Sequence, residues 1–231
     1  HDEVLFLQYT SGSTGQPRGV IVSHDNVIAN ANATLDHKPV GVSWLPQYHD
    51  MGLIGYYLFP IVSGGTSYGL PPTDFLRRPA LWIRMLSEVE ASYTSSPNFG
   101  FEYCLRNGKI SEDELDGVDL SCLQVLMNAS EPARPYTVAE FYRRFARYGL
   151  RRAACTVAYG LAENTLTVTH GGRNALHVDR AALNTGRVEI VENGGGRETV
   201  EFASCGIPAP GVSVAIRDVD TGDRLGELAV G

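Results

Sequence analysis

The sequence predicts an α/β fold, a largely parallel sheet flanked by helices and followed by a small β subdomain. Three observations carry this. Short apolar runs of strand length alternate with stretches of helical periodicity. Polar turns at Thr10, Asn128 and Tyr159 each follow such a run, and in a parallel sheet they would gather along one edge. Towards the C-terminus the pattern changes to strict alternation, with Val212, Val214 and Ile216 separated by polar or small residues.

The elements follow in order. Apolar runs at 4–7 and 20–22 flank a polar loop, Thr10-Ser11-Gly12-Ser13-Thr14-Gly15-Gln16-Pro17-Arg18, and read as strand, loop, strand. Ser23 is a natural N-cap for a helix whose inner face carries Val27, Ala31 and Leu35. A short strand at 41–45 ends at Pro46. The sequence then turns through His49 and Asp50, Asp50 serving as an N-cap, into an apolar helix. Residues 66–70 form another strand, closed by a turn at Pro71-Pro72. Trp82, Met85, Leu86 and Val89 recur at helical spacing, giving a helix over 79–91 with Pro79 at its start. A strand at 92–96 leads into an aromatic segment, Phe99-Gly100-Phe101-Glu102-Tyr103, which fits either core or the lining of an apolar pocket. Residues 110–120 are acidic and suggest a surface helix with its loop. A strand at 124–127 runs into Asn128-Ala129-Ser130-Glu131-Pro132. Val138, Phe141, Tyr142 and Phe145 define a helix whose solvated side carries Arg143, Arg144 and Arg147. A strand at 154–157 ends in Tyr159-Gly160 and a helix start at Glu163. Residues 170–204 read as a polar, strand-rich surface excursion bracketed by glycines, and 227–230 complete a late antiparallel pair.

Composition narrows the function classes. The 231 residues, 43% apolar, suffice for a substantial core. A net charge of −7 without a basic run argues against a nucleic-acid partner. Cys104, Cys122, Cys155 and Cys205 are scattered, with no C-x-x-C pair and no signal peptide, so a reduced cytoplasmic setting is expected and a zinc site is not. The most apolar stretch, 51–62, is too short to span a bilayer and contains Pro60.

The loop between the first two strands carries the chemistry. Small residues let backbone N–H groups wrap an anion, the hydroxyls of Thr10, Ser11, Ser13 and Thr14 add donors, and Arg18 supplies permanent positive charge. A flexible Gly/Ser hairpin connection is the plain alternative. A Walker A loop is excluded, because no Gly-Lys-Ser/Thr occurs and Pro17 precedes a strand rather than a helix. The pair His49-Asp50 is either a local helix cap or a site pair at the end of a strand.

The order T-S-G-S-T-G-x-P-[KR]-G-V resembles the nucleotide loop of the adenylate-forming superfamily. Three further stretches match that family in order: 44–55, 159–163, and 226–230 preceded by Ser204-Cys205-Gly206-Ile207-Pro208. The spellings P-x-Y-H-D-M-G-L-I-G, P-N-F, N-x-x-E-P and Y-G-L-A-E resemble its fatty acyl-AMP ligase branch. That resemblance implies ATP-dependent activation of a long-chain acid as its adenylate, followed by transfer to the phosphopantetheine of an acyl carrier protein. It implies that Thr10, Ser11, Gly12, Ser13, Thr14, Gly15 and Arg18 hold the phosphates, with Thr10 also catalytic. Glu163 would hold Mg²⁺, and Tyr159-Gly160 and the Ser130–Glu131 backbone would enclose adenine. His49 would sit at the acyl carboxylate, with Met51, Asn98 and Phe99 bordering the acyl tunnel.

Two departures are Arg18, where the family more often has lysine, and Ala162, where most of the superfamily has threonine. The implied organisation is a nucleotide- and acyl-binding subdomain at 1–170, a branch-specific insertion at 171–203 and the start of a β subdomain at 204–231. The upstream subdomain, the ribose-binding aspartate and the C-terminal domain with its catalytic lysine are expected outside this stretch, which alone should not make acyl-AMP at a normal rate. Two alternatives remain at this level: a fatty acyl-CoA ligase, and a non-catalytic nucleotide-binding module that kept the fold.

Overall fold

A computed structural model describes residues 3–10, 18–35, 38–192, 198–218, 220–222 and 224–227. The predicted Ser11–Gly15 phosphate contacts, the triple glycine at 194–196 and residues 228–231 lie outside the described residues.

The chain opens with β1 (Val4–Thr10) and β2 (Arg18–Ser23), an antiparallel hairpin in which Thr10 faces Arg18. Helix α1 (His24–Thr34) follows, and its cap is reciprocal: the Ser23 side chain accepts from Asn26 N while the Asn26 side chain accepts from Ser23 N. Next come β3 (Val40–Ser43), α2 (Asp50–Leu53), a π-helical turn (Ile54–Leu58) and α3 (Phe59–Ser63). Strand β4 (Thr66–Gly69) leads to α4 (Pro72–Arg77) and α5 (Ala80–Glu88). Strand β5 (Tyr93–Ser96) is followed by α6 (Asn98–Leu105), and β6 (Val125–Asn128) by α7 (Pro135–Phe145). The chain continues with β7 (Cys155–Gly160), β8 (Thr167–Gly172), β9 (Ala175–Asp179), α8 (Arg180–Asn184) and β10 (Thr199–Ala203). It closes with β11 (Ile207–Pro208), β12 (Ala215–Arg217) and β13 (Arg224–Glu227).

The central sheet has seven strands in the order β11-β8-β7-β6-β5-β3-β4. Strands β4, β3, β5, β6 and β7 are mutually parallel, and β8 and β11 extend the sheet antiparallel at one edge. The chain moves outward from β3 to β4 and then returns to place β5 on the other side of β3. The gap between β3 and β5 is therefore the topological switch point, where open α/β sheets bind ligands.

Strand β5 shows how helices cover both faces. Successive side chains on a strand point to opposite sides. Thr94 accepts from Trp82 Nε1 of α5 at 3.0 Å, whereas Ser95 accepts from the Tyr56 hydroxyl of the π-helical turn at 2.8 Å. Tyr93, on the same side as Ser95, donates to Gly55 O at 3.0 Å. All four β5 residues are buried, and these bonds, with Thr94 donating to Val42 O, satisfy polar groups that would otherwise destabilise the interior. Burial pushes both the Tyr56 and Tyr93 hydroxyls far above the usual tyrosine pKa, so they remain protonated donors.

The larger core packs Trp82, Ile83, Leu86, Phe101, Phe141 and Phe145 under α5, α6 and α7. Trp44, just past β3, stacks on the fully buried Phe75 with ring centroids 3.9 Å apart and planes within 5°. A second cluster of Val22, Val27, Ala31, Ile54 and Phe59 seats α1 against the π-helical turn and α3.

Several expectations require correction. Residues 110–120 are not a helix: only Asp113–Leu115 form a 3₁₀ turn, because Ile110, Leu115 and Leu120 each need burial and their spacing does not give one helical face. Residue 72 starts α4 rather than closing a turn, proline being well suited to a first helical turn. Arg144 is not on a solvated side, since it donates to Cys104 O and Ile110 O and ties α7 to the segment after α6. Asp50 is the first residue of α2, and His49 is its N-cap. Of the three polar turns, those after β6 and β7 share the edge of the main sheet; the one after Thr10 belongs to the separate β1–β2 hairpin. The last described antiparallel pair joins 215–217 to 224–227, and the remainder of the expected 227–230 strand lies outside the described residues.

Gly100 marks a close approach, where an added Cβ would meet the Ser96 hydroxyl and the Trp44 ring. Gly100→Ala should therefore destabilise the fold by about 1–3 kcal/mol through overpacking. Urea denaturation should give a lower midpoint with an unchanged slope. An unchanged midpoint would mean that α6 does not press on Trp44 as described.

Candidate active site

The carboxyl ends of β3, β5, β6 and β7 deliver the segments 44–51, 97–99, 129–131 and 159–160 to one edge of the sheet. Three cavities lie there. The largest, about 1040 Å³, is lined by Asn98, Phe99, Ser130, Glu131, Tyr159 and Gly160, among others. A smaller one of about 210 Å³ lies between His49, Met51, Ser130, Tyr159 and Gly160. A mainly apolar one of about 440 Å³ is lined by Trp44, Leu45, Met51, Pro72, Leu76 and Phe99, with His49, Ser130 and Glu131 at its polar side. Ser130 and the pair formed by a histidine and a methionine, His49 and Met51, thus connect spaces of different character. Among the described residues, Ser130 alone borders all three.

Ser130 reaches this position through a left-handed backbone, φ 73°, which is costly for a residue with a Cβ and is common at sites. The neighbouring contacts hold it. Ala129 N donates to Ser96 O at 3.2 Å, the Ser130 hydroxyl contacts Met51 Sδ at 3.3 Å, and Glu131 Oε1 accepts from Phe99 N at 2.6 Å. The Glu131 carboxylate therefore caps the start of α6, where its charge also complements the helix dipole.

Beneath this turn lies a polar network that the sequence did not reveal. Asn98 Oδ1 accepts from Asn128 Nδ2 and from Arg134 N, both at 3.0 Å, and Asn98 Nδ2 donates to Glu102 Oε1 at 2.8 Å. Arg134 and Thr137 also donate to Glu102. Asn98 is buried, so it borders the large cavity as a scaffold for the 128–134 turn. Phe99 is half-exposed and meets Trp44 edge-on at 5.7 Å.

His49 sits on a turn held by backbone packing: a Cβ on Gly52 would meet the Pro46 carbonyl. His49 Nδ1 is 2.6 Å from Asp50 Oδ1 and 3.3 Å from Met51 N. The ring nitrogen cannot donate and accept at once, and the shorter contact favours Nδ1–H donating to Asp50. Met51 N then has Asp50 Oδ1, at 2.6 Å, as its stronger acceptor. The Asp50 hydrogen bond raises the His49 pKa, against partial burial.

Tyr159 is half-exposed near the end of β7, and Gly160 must be glycine because a Cβ would meet the Leu166 carbonyl. Glu163 is exposed in the 3₁₀ turn Ala162–Asn164. A buried asparagine of α1 fixes the far side of that loop: Asn30 Nδ2 donates to Thr167 O at 2.9 Å and its Oδ1 accepts from Thr167 N at 2.9 Å. Thr10, Arg18 and Glu163 line none of the three cavities. No group of three metal-binding side chains occurs among the described residues, and no described helix is long and apolar enough to cross a membrane. The four cysteines are free.

The AMP-binding enzyme family model matches residues 1–231. A medium-chain fatty acid–acyl carrier protein ligase of Moorena producens is 34% identical over 99% of the chain, which covers 41% of that protein. The corresponding ligase of Teredinibacter turnerae is 35% identical over 81% of the chain and 30% of its own length. A fatty acyl-adenylate ligase of L. pneumophila, solved with acyl adenylate and pyrophosphate, superposes with a TM-score of 0.83 at 35% identity, covering 94% of this chain and 39% of that one. The chain belongs to the AMP-binding enzyme family, in its fatty acyl-AMP ligase branch. It spans 30% and 41% of the length of these two curated relatives.

The His49–Asp50 contact sets a pH dependence. Because the folded pKa is raised, the contact's stabilisation is fully present below the unfolded value near 6.5 and is lost as pH rises through the folded value. Asp50→Asn should lower the His49 pKa, read from its imidazole NMR titration. An unchanged titration would mean that Asp50 does not hold the ring.

Proposed function

We propose that the full-length protein activates a fatty carboxylic acid as acyl-AMP, with release of pyrophosphate, and passes the acyl group to the phosphopantetheine of an acyl carrier protein. The observation that carries this is the position of Ser130, shared by a large cavity bordered by Tyr159 and an apolar cavity bordered by Met51, Phe99 and Trp44. An acyl adenylate has the same division: a purine nucleotide at one end, an apolar chain at the other, and a charged junction between.

The reaction needs little covalent help from the protein. A carboxylate oxygen attacks the α-phosphorus, the new O–P bond forms, and the bond to the pyrophosphate oxygen breaks. Catalysis lies in positioning and in stabilising charge on the phosphoryl oxygens. In the proposed arrangement, adenine lies between Tyr159-Gly160 and the Ser130–Glu131 backbone. The acyl carboxylate lies at His49, whose ring is oriented by Asp50. Met51 and Phe99 border the chain, and Asn98 holds the turn. Thr10 and Arg18, opposite one another across the hairpin, would present the 11–15 segment to the β- and γ-phosphates.

The exposed Glu163 carboxylate fits the way Mg²⁺ is held, by one or two carboxylates with phosphate oxygens and water completing the shell. When bound, the ion would neutralise phosphate charge. In the second half-reaction the thiol sulfur bonds to the acyl carbon, the C–O bond to AMP breaks, and the thiol proton leaves. The stretch 171–203, which contributes the separate β9–β10 pair, is proposed as the branch-specific insertion, and 204–231 as the start of the β subdomain. The proposed setting is cytoplasmic.

Fatty-acid-dependent ATP–pyrophosphate exchange by the full-length protein tests the first step. Glu163→Gln should reduce exchange by about 10²-fold or more, the scale of losing one preorganised charge contact. Tyr159→Ala should weaken ATP binding by about five- to hundredfold, from the loss of one aromatic stack. Offering CoA and a phosphopantetheinylated carrier protein separately tests the second step. Transfer to the carrier is expected; efficient acyl-CoA formation would overturn that acceptor, and absence of exchange with every fatty acid would overturn the ligase reading itself.

A further inference from the structure

A second cavity, of about 750 Å³, lies beside the largest one and shares Pro135, Tyr136, Val157, Glu201 and Ala203 with it. The adenylation chemistry proposed above makes no use of it. Its charged lining comes from Arg152, just before β7, Arg173, between β8 and β9, and the His177–Glu201 cross-strand pair of β9 and β10.

Backbone carbonyls hold both guanidinium groups at this cavity. Arg173 Nε donates to Ala153 O at 3.0 Å and its Nη1 to Gly171 O at 3.2 Å. Arg152 Nη1 donates to Cys155 O at 3.4 Å, and its guanidinium lies 6.0 Å from the Tyr142 ring. Both are thus tethered at carbonyls two residues apart, Ala153 and Cys155. Both also act electrostatically on the same buried thiol, Cys155, opposing the rise that burial imposes on it. Neither guanidinium is ion-paired with a carboxylate among the described residues. Among the described residues one carboxylate lines the cavity, Glu201, which is 3.5 Å from His177 Nδ1.

Two exposed guanidiniums, each held at backbone carbonyls, thus share a cavity with one carboxylate, Glu201, which faces His177. Each retains N–H donors beyond those used on carbonyls, in the fork geometry that suits tetrahedral oxyanions. We propose that Arg152 and Arg173 form an anion site for a phosphate group, free or as a monoester, in a cavity contiguous with that bordered by Tyr159. The position of the pair, between the β9–β10 hairpin and β7, makes this a site distinct from the Thr10–Arg18 loop.

The test is a thermal-shift and calorimetric titration of the purified protein with inorganic phosphate and with ethyl phosphate, at constant ionic strength made up with chloride. Dose-dependent stabilisation is expected. It should weaken about tenfold in Arg173→Gln, and be lost when Arg152→Gln, Arg173→Gln and the phosphate-loop substitution Arg18→Gln are combined. It should persist in Arg18→Gln, which separates this site from the phosphate loop. Response to inorganic phosphate alone assigns a free anion, and response to ethyl phosphate as well assigns an esterified group. Equal stabilisation by chloride, retention in the triple variant, or loss in Arg18→Gln alone would each overturn the proposal.

Discussion

The left-handed turn at Ser130 is the constraint on which the site depends. A non-glycine residue at φ 73° costs on the order of 1–3 kcal/mol and persists only where its surroundings fix it. Here the surroundings are three separate elements. Strand β5 holds the preceding amide, α2 supplies Met51 against the hydroxyl, and α6 offers the Phe99 amide to Glu131. Releasing that turn would merge or close the spaces that Ser130 borders. The parallel sheet thus acts mainly as a fixed frame, with its strand ends presenting short segments whose local geometry decides the chemistry.

That frame is itself unusually polar at its centre. Strand β5 is Tyr-Thr-Ser-Ser, yet each of its residues is buried. Hydroxyl bonds to Trp82, Tyr56 and backbone carbonyls offset the desolvation cost. Directional bonds on both faces also fix the sheet relative to α5 and the π-helical turn more narrowly than apolar packing alone would. Trp44, Phe75 and Trp82 form an aromatic block of their own, stacked and edge-to-face.

Much of this was legible in the sequence because it is local. The β1–β2 hairpin, the Ser23 cap, α5 and α7 follow from periodicity and capping chemistry, which act over a few residues. The segments at 44–51, 129–131 and 159–160, which meet at one edge of the sheet, stood out because each couples a strand end to a polar turn. What stayed hidden depends on distant partners. Asn30 gives no signal in the sequence, since its value lies in meeting Thr167 across 137 positions. The Asn98–Asn128–Glu102 network is likewise invisible without the packing of α6 on α7. Residues 110–120 misled because their acidic character suggested a surface helix, while three spaced apolar residues were drawn inward one at a time. His49 takes the N-cap position expected of Asp50, while Asp50 still accepts from the Met51 amide, because adjacent polar residues compete for that amide, a matter of geometry rather than residue type.

The central claim is that one turn joins a nucleotide space to an acyl space. A crystal structure of the full-length protein with a non-hydrolysable acyl-adenylate analogue tests it most directly. Adenine should lie against Tyr159 and the Ser130–Glu131 backbone, and the acyl chain should pass His49 and Met51 towards Trp44. An analogue bound with its acyl chain outside the Trp44 cavity, or with adenine away from Tyr159, would contradict the account.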